Sequence, residues 1–141
     1  MNIKVYYHAP IEKIKINRVG EWIDLRTAET VNLKQWETKL ISLGVTIILP
    51  DGYEALLTLR SSTPKKWGVI QLNTPGIIDN AYRGFNDIWR LQVMAIRDTQ
   101  IPFNTRIAQF RIIEQQPKLY IQELASVDFP DRGGFGSTGS Y

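Results

Sequence analysis

Seven prolines, at positions 10, 50, 64, 75, 102, 117 and 130, cut this 141-residue chain into short apolar runs. Proline has no N–H to give a ladder, so regular elements are confined to the stretches between these points. Those stretches are rich in β-branched residues: eighteen isoleucines, seven valines and ten threonines. Such side chains suit a pleated, half-buried surface better than a helix. Candidate strands cover residues 41–49, 53–59, 69–72, 88–96, 106–113 and 119–124. Between the first two stands Pro50-Asp51-Gly52, where proline presets φ and glycine accepts a positive φ, so it reads as a hairpin connection. Helical periodicity is poor. Residues 32–43 fit an amphipathic helix (Leu33, Trp36, Leu40, Leu43) and a strand equally well. Residues 61–66 have room for one helical turn, with Ser61 or Ser62 as cap and Pro64 early in the turn. Many short strands with closely spaced turns predict an all-β sandwich or barrel, and the length is that of one domain.

Composition removes whole classes of chemistry. At 43% hydrophobic and 22% charged residues the chain is not wholly disordered. With no cysteine there is no disulfide scaffold, thiolate zinc site, iron–sulfur centre or thiol catalysis. One histidine, His8, argues against a multi-histidine metal site and a serine–histidine triad. The longest apolar run, residues 40–49, is broken by Ser42, Gly44 and Thr46 and falls short of the ~18–20 residues a membrane helix needs. The start, Met-Asn-Ile-Lys-Val, lacks a basic segment followed by an apolar core, so the expected location is cytoplasmic. The net charge is +3, but the basic residues are scattered and only Lys65-Lys66 are adjacent. That describes a solvated surface, with no nucleic-acid groove and no membrane contact expected.

Three stretches carry candidate chemistry. Arg60, Ser61 and Ser62 put a guanidinium and two hydroxyls where a strand gives way to a helical turn, a phosphate-binding combination that also occurs as simple capping. Residues 73–84 hold Asp79, three residues before Tyr82, in a predicted hairpin. A carboxylate there can orient and deprotonate a water, although Asp-Asn also favours plain turns. The third is the glycine-rich end from residue 127, which has four glycines between Gly133 and Gly139. By composition this is a loose terminus. By content (Arg132, Phe135, Gly136, Ser137, Thr138) it has the parts of a lid over a nucleotide: a bidentate clamp, an aromatic for stacking, amide and hydroxyl donors.

In order and spacing, five stretches from Gly20 to Gly139 resemble the motifs of the homotrimeric dUTPases, in their phage and Gram-positive branch. Gly20-Glu21-Trp22-Ile23-Asp24-Leu25-Arg26 resembles the first, Arg60-Ser61-Ser62 through Gly68 the second, and Asn73 to Gly84 the third. Arg106-Ile107-Ala108-Gln109 resembles the fourth and Arg132 to Gly139 the fifth. The resemblance implies a distorted β-jelly-roll over residues 1–126 with a lid at 127–141. It implies a homotrimer with active sites at subunit interfaces, and hydrolysis of dUTP to dUMP and pyrophosphate, which limits uracil in DNA and supplies dUMP. By it, Asp79 activates the attacking water and Tyr82 packs under the deoxyribose. Asn73, Gly76, Ile77 and Ile78 read the uracil, with Asp87 opposite. Arg60, Ser61, Ser62 and Gln109 hold phosphates, and Asp24 meets Mg2+ through water. Arg132 reaches the γ-phosphate and Phe135 covers the base, with Gly136, Ser137 and Thr138 completing the lid.

Three departures stand out. Trp22-Ile23 occupies the place of a usual Gly-Tyr, Ser62 that of a glycine, and the fifth motif is about two residues short. Two other readings compete. A dCTP deaminase shares the Arg-Ser-Ser stretch but needs a glutamate in the strand after Gly84, and residues 85–91 contain none. The other is a non-catalytic jelly-roll with a structural or regulatory role, whose protein partner the sequence does not name.

Overall fold

The strand Arg90–Ala95 shows the governing pattern: Leu91, Val93 and Ala95 are buried while Arg90 and Gln92 face outward, the period-two alternation of a half-covered strand. The computed structural model describes residues 1–16 and 19–139. Among them the elements run β1 (Lys4–Tyr7), β2 (Ile23–Arg26), β3 (Val31–Leu33), β4 (Thr38–Ser42), β5 (Val45–Ile48) and β6 (Tyr53–Leu59). Then follow α1 (Thr63–Trp67), β7 (Val69–Gln71), β8 (Gly76–Ile78), β9 (Arg90–Ala95), β10 (Thr99–Ile101) and β11 (Arg106–Glu114).

The strands form four antiparallel sheets, ordered β1–β5, β10–β3, β2–β11–β6–β8 and β4–β9–β7. Their inner faces share one core. Trp89 and Phe110, both fully buried, meet edge to face with ring centroids 5.1 Å apart.

Several expectations are corrected. The run 41–49 is two strands, β4 and β5, divided at Gly44. There φ is +66°, and an added Cβ would stand 2.6 Å from the Ala28 Cβ, so only glycine fits. Pro50-Asp51-Gly52 does turn the chain, with Tyr53 N–H donating to Pro50 O at 3.2 Å, but it is no hairpin. β5 pairs with β1, whereas β6 pairs with β11 and β8. Residues 32–43 form no helix. Leu33 is buried in β3, Trp36 reverses the chain at φ +73°, and β4 follows. The strand expected at 119–124 is absent. Every residue from Gln115 to Gly139 is exposed, and without a neighbouring strand an apolar run has nothing to pair with.

The single helical turn at 61–66 is present as α1, closed by Gly68 in the left-handed conformation. Ser62 occupies the cap position, yet its hydroxyl makes no cap bond. The corner is tied instead by Thr63 Oγ1 and Arg60 N, which both donate to Ile107 O at 2.8 and 3.3 Å. The serine hydroxyls are left facing out.

Candidate active site

The sheet β2–β11–β6–β8 positions most of the predicted residues. A bulge in β11 does the aiming. Register with β2 slips between Arg106 and Ala108, so Ile107 and Ala108 are both buried in succession. Without that slip, Arg106 and Gln109, three residues apart, would project from opposite faces. With it, both serve the side of Asp24, the register partner of Gln109. Arg106 Nη1 lies 3.4 Å from Asp24 Oδ2, and Arg60 Nε lies 3.1 Å from Asp24 Oδ1. Gln109 Nε2 donates to Leu59 O at 3.3 Å, beside Arg60. Asp24, Arg60, Ser61, Ser62 and Gln109, drawn from three predicted motifs, therefore cluster at one end of the sheet. Arg106 had no assigned role; two successive apolar residues in an otherwise alternating strand were the signal for it.

Both guanidiniums rest on one carboxylate, and all three groups are partly exposed. Ion pairs of that kind are worth about 0–1 kcal/mol. An anion carrying several charges attracts them more strongly than one aspartate does. Next to this cluster opens a cleft of about 460 Å³, lined by residues 11–15 with Asp24, Leu25, Arg26 and Arg106. Here Glu12 takes Lys15 at 2.7 Å and Arg26 at 2.8 Å. The Lys15 hydrogen bond and then the Arg26 charge hold its carboxyl below the usual glutamate range. No motif announced this segment.

The residues expected to read a base assemble elsewhere. Asn73, Gly76, Ile77 and Ile78 line a small cleft of about 110 Å³ with Leu40, Leu57, Gln71, Arg90 and Gln92. Gln71 Nε2 braces it by donating to Leu57 O and Asn73 O, each at 3.1 Å. Asp87 does not line this cleft; its carboxylate accepts Gly84 N–H at 2.7 Å and closes a local turn. Nor does Asp79 sit in a hairpin: β8 pairs with β6, and the chain crosses to another sheet before β9. Asp79 directly follows β8, and its Oδ1 accepts Ala81 N–H at 2.8 Å. Tyr82 donates its hydroxyl to Ile88 O at 2.9 Å, which fixes the ring.

Asp79 and the Arg60 cluster lie at opposite ends of β6, with the small cleft between them, where Gly76 pairs with Leu57. Ile78 pairs with Ala55, so Asp79 stands level with Glu54, while Arg60 is six residues further along. At about 3.3 Å per residue that is a backbone separation of roughly 20 Å along the strand. The fifth stretch joins neither group: Arg132, Phe135, Gly136, Ser137 and Thr138 are all exposed. Trp22 takes the Arg111 guanidinium 5.7 Å over its ring, and Arg111 also pairs with Glu21 at 3.3 Å. Asp24 thus keeps its partners despite the altered preceding pair.

The dUTPase family model matches residues 22–139. Over 142 aligned residues, 99% of each chain, the sequence is 47% identical to the SPbeta prophage-derived deoxyuridine 5′-triphosphate nucleotidohydrolase of Bacillus subtilis (strain 168). The chain belongs to the dUTPase family. A dUTPase of Orientia tsutsugamushi (strain Ikeda) is 39% identical over 114 residues, covering 79% of this chain and 76% of that one. In fold, the chain is similar to a mutant Staphylococcus bacteriophage 80alpha dUTPase with dUpNHpp, at TM-score 0.79 and 23% identity over 98% of both chains. A mutant dUTPase from phage phi11 of S. aureus, whose structure details the coordination of a structural Mg(II) ion, matches at TM-score 0.76 and 20% identity. That match covers 92% of this chain and 100% of that one. The all-β jelly-roll class expected from the dUTPase motifs is the class observed.

Among the described residues no helix is long and apolar enough to cross a membrane. Nor does any cluster of three or more His, Cys, Asp or Glu side chains occur there.

Proposed function

We propose that this chain hydrolyses dUTP to dUMP and pyrophosphate in active sites completed between copies of a homotrimer. The observation that carries the proposal is the separation along β6: on one chain the phosphate-end cluster and the Asp79 loop stand roughly 20 Å apart. A second copy, presenting its Asp79 end to this copy's Arg60 end, removes the gap. The exposed arm supports the same assembly. Leu119, Tyr120, Ile121, Leu124, Val127 and Phe129 are each at least 62% exposed, and nothing in their own chain covers them.

Uracil recognition fits an edge strand. β8 ends its sheet, so its outer N–H and C=O groups are free to pair with a ligand. Uracil's edge runs acceptor, donor, acceptor, which a backbone alternating donors and acceptors can match. Cytosine, with an amino donor in place of O4, mismatches and leaves a polar group unpaired. Asn73 and the backbone of Gly76, Ile77 and Ile78 do this reading, with Asp87 supporting the loop behind. The Tyr82 ring, its hydroxyl committed to Ile88, forms a floor on which deoxyribose fits and a 2′-hydroxyl is crowded.

Asp79 orients and deprotonates the water that attacks the α-phosphorus in line; with Oδ1 held by Ala81 N–H, Oδ2 is left for that water. Arg60, Ser61, Ser62 and Gln109 hold the phosphates, Arg60 exchanging Asp24 for the incoming anion. Arg132, with Gly136, Ser137 and Thr138, closes over the γ-phosphate, and Phe135 stacks on the base. Phosphoryl transfer of this kind depends on positioning and charge neutralisation rather than covalent chemistry, so a chain without cysteine and with one histidine is equipped for it.

The donor set fits Mg2+ of one kind. A lone carboxylate, Asp24, cannot cage a resident ion, but it suits an ion already chelated by the triphosphate and touched through water. When bound, the ion supplies neutralisation of phosphate charge. A cytoplasmic location is consistent with this chemistry.

Phosphate release with added pyrophosphatase, measured on dUTP, dCTP, dTTP and UTP, tests the proposal. Turnover of dUTP alone is expected. Ammonia release from dCTP, or inertness toward all four, overturns it.

A further inference from the structure

Two fastenings outside the phosphate- and base-binding groups hold the loop of residues 79–89. At its start, Asn80 Nδ2 donates to Pro50 O and Tyr53 O, both at 2.9 Å, so both amide hydrogens are committed to the turn between β5 and β6. At its end, Thr46 Oγ1 donates to Asp87 O at 3.1 Å from a position only 4% exposed. A hydroxyl has one proton to give. The 2.8 Å contact between Thr46 Oγ1 and His8 Nε2 therefore assigns the shared proton to His8 Nε2. The His8 ring also meets Phe85, a loop residue, at 5.2 Å, and Tyr6 at 4.8 Å; Tyr6 and Phe85 are 5.2 Å apart. The molecule's one histidine thus grips the loop twice, through Thr46 and through Phe85.

We propose that Asn80 and His8 are positioning residues for hydrolysis, pinning the two ends of the loop that presents Asp79 and Tyr82. The inference rests on the reading of Asp79 as the group that activates water. In a site completed by another copy, Asp79 meets the phosphate only as well as its own chain holds it, and a ~1 Å misplacement costs about 10²-fold. The base cleft lies on β8 and the strands beside it, ahead of the loop, so loosening the loop slows turnover more than it weakens binding.

The test uses the full-length chain with four variants. Asn80→Ala removes both donors, and Asn80→Asp keeps the shape but cannot donate. His8→Ala removes the ring, and His8→Gln retains a donor nitrogen. Each is measured for kcat and KM on dUTP, Kd for dUpNHpp, and oligomeric mass by light scattering. Expected are a kcat loss of ~10–100-fold for both Asn80 variants, with KM and Kd changed less than about threefold, a smaller loss for His8→Ala, and recovery of most of it in His8→Gln. Should an Asn80 variant fail to assemble, the His8 pair carries the same test. If kcat stays within about twofold of the unaltered chain in every assembled variant, the proposal is overturned. It is equally overturned if kcat and Kd worsen together with the melting temperature and His8→Gln does not recover, which is the mark of a purely structural role. An unaltered chain inactive on dUTP strikes instead at the functional reading beneath it.

Discussion

In the proposed mechanism one carboxylate, Asp79, carries the proton handling. Replacing Asp79 by Asn keeps the Ala81 N–H contact, since an amide oxygen also accepts, but removes the base. The expected outcome is at least ~100-fold slower hydrolysis with dUpNHpp binding retained, measured by phosphate release and calorimetry. Near-normal turnover would show that another group moves the proton. Glu12 gives a second prediction at this scale, one of pH. Its folded carboxyl lies below its ordinary value because Lys15 and Arg26 favour the charged form. A depressed carboxylate stabilises the fold above its unfolded pKa, and that contribution is lost as pH falls through the folded value. Melting temperatures of the unaltered chain and Glu12→Gln should therefore differ at pH 7 and converge in acid. A gap that stays constant with pH assigns the difference to packing. That Asp24, Arg60 and Gln109 belong together was legible in the sequence because the motif spacing pointed to all three. Arg106 and Glu12 were not, since one depends on a bulge and the other on a fold-back of residues 11–15.

The strands themselves were legible where alternation and punctuation agreed. Tyr53–Leu59 is β6 to the residue, and the run from Arg106 is β11 with one residue added. What composition could not supply was pairing. Pro50-Asp51-Gly52 has hairpin chemistry, but turn chemistry is local, and the partners of β5 and β6 are chosen by which faces the core covers. Residues 119–124 make the same point from the other side: a strand-like run stays bare when its own chain offers no edge beside it. The glycine-rich end belongs at this scale too. Among the described residues its turns are held by Gly134 O to Ser137 N–H and Gly136 O to Gly139 N–H, within the segment. Deleting residues 132–141 should lower kcat for dUTP while leaving the oligomeric mass, followed by light scattering, equivalent to that of the full chain. Unchanged kinetics would make the segment a loose terminus and nothing more.

At the scale of the whole molecule, a site divided between copies makes a prediction no single-chain enzyme shares. Asp79→Asn chains and Arg60→Ala chains are each expected to be nearly inactive alone. Unfolded together and refolded as mixed trimers, they place an intact Asp79 from one chain against an intact Arg60 from the next in about a quarter of the sites. Recovery to roughly that fraction of unaltered activity is the expected result, and none at all would return the two residues to one chain. The span of β6 has one more consequence. On the proposed assembly a lone copy, however well folded, holds halves of two different workplaces and no finished one. Its output per chain should therefore collapse on dilution, well before the polypeptide itself melts, so the first few chains made at low concentration contribute almost nothing.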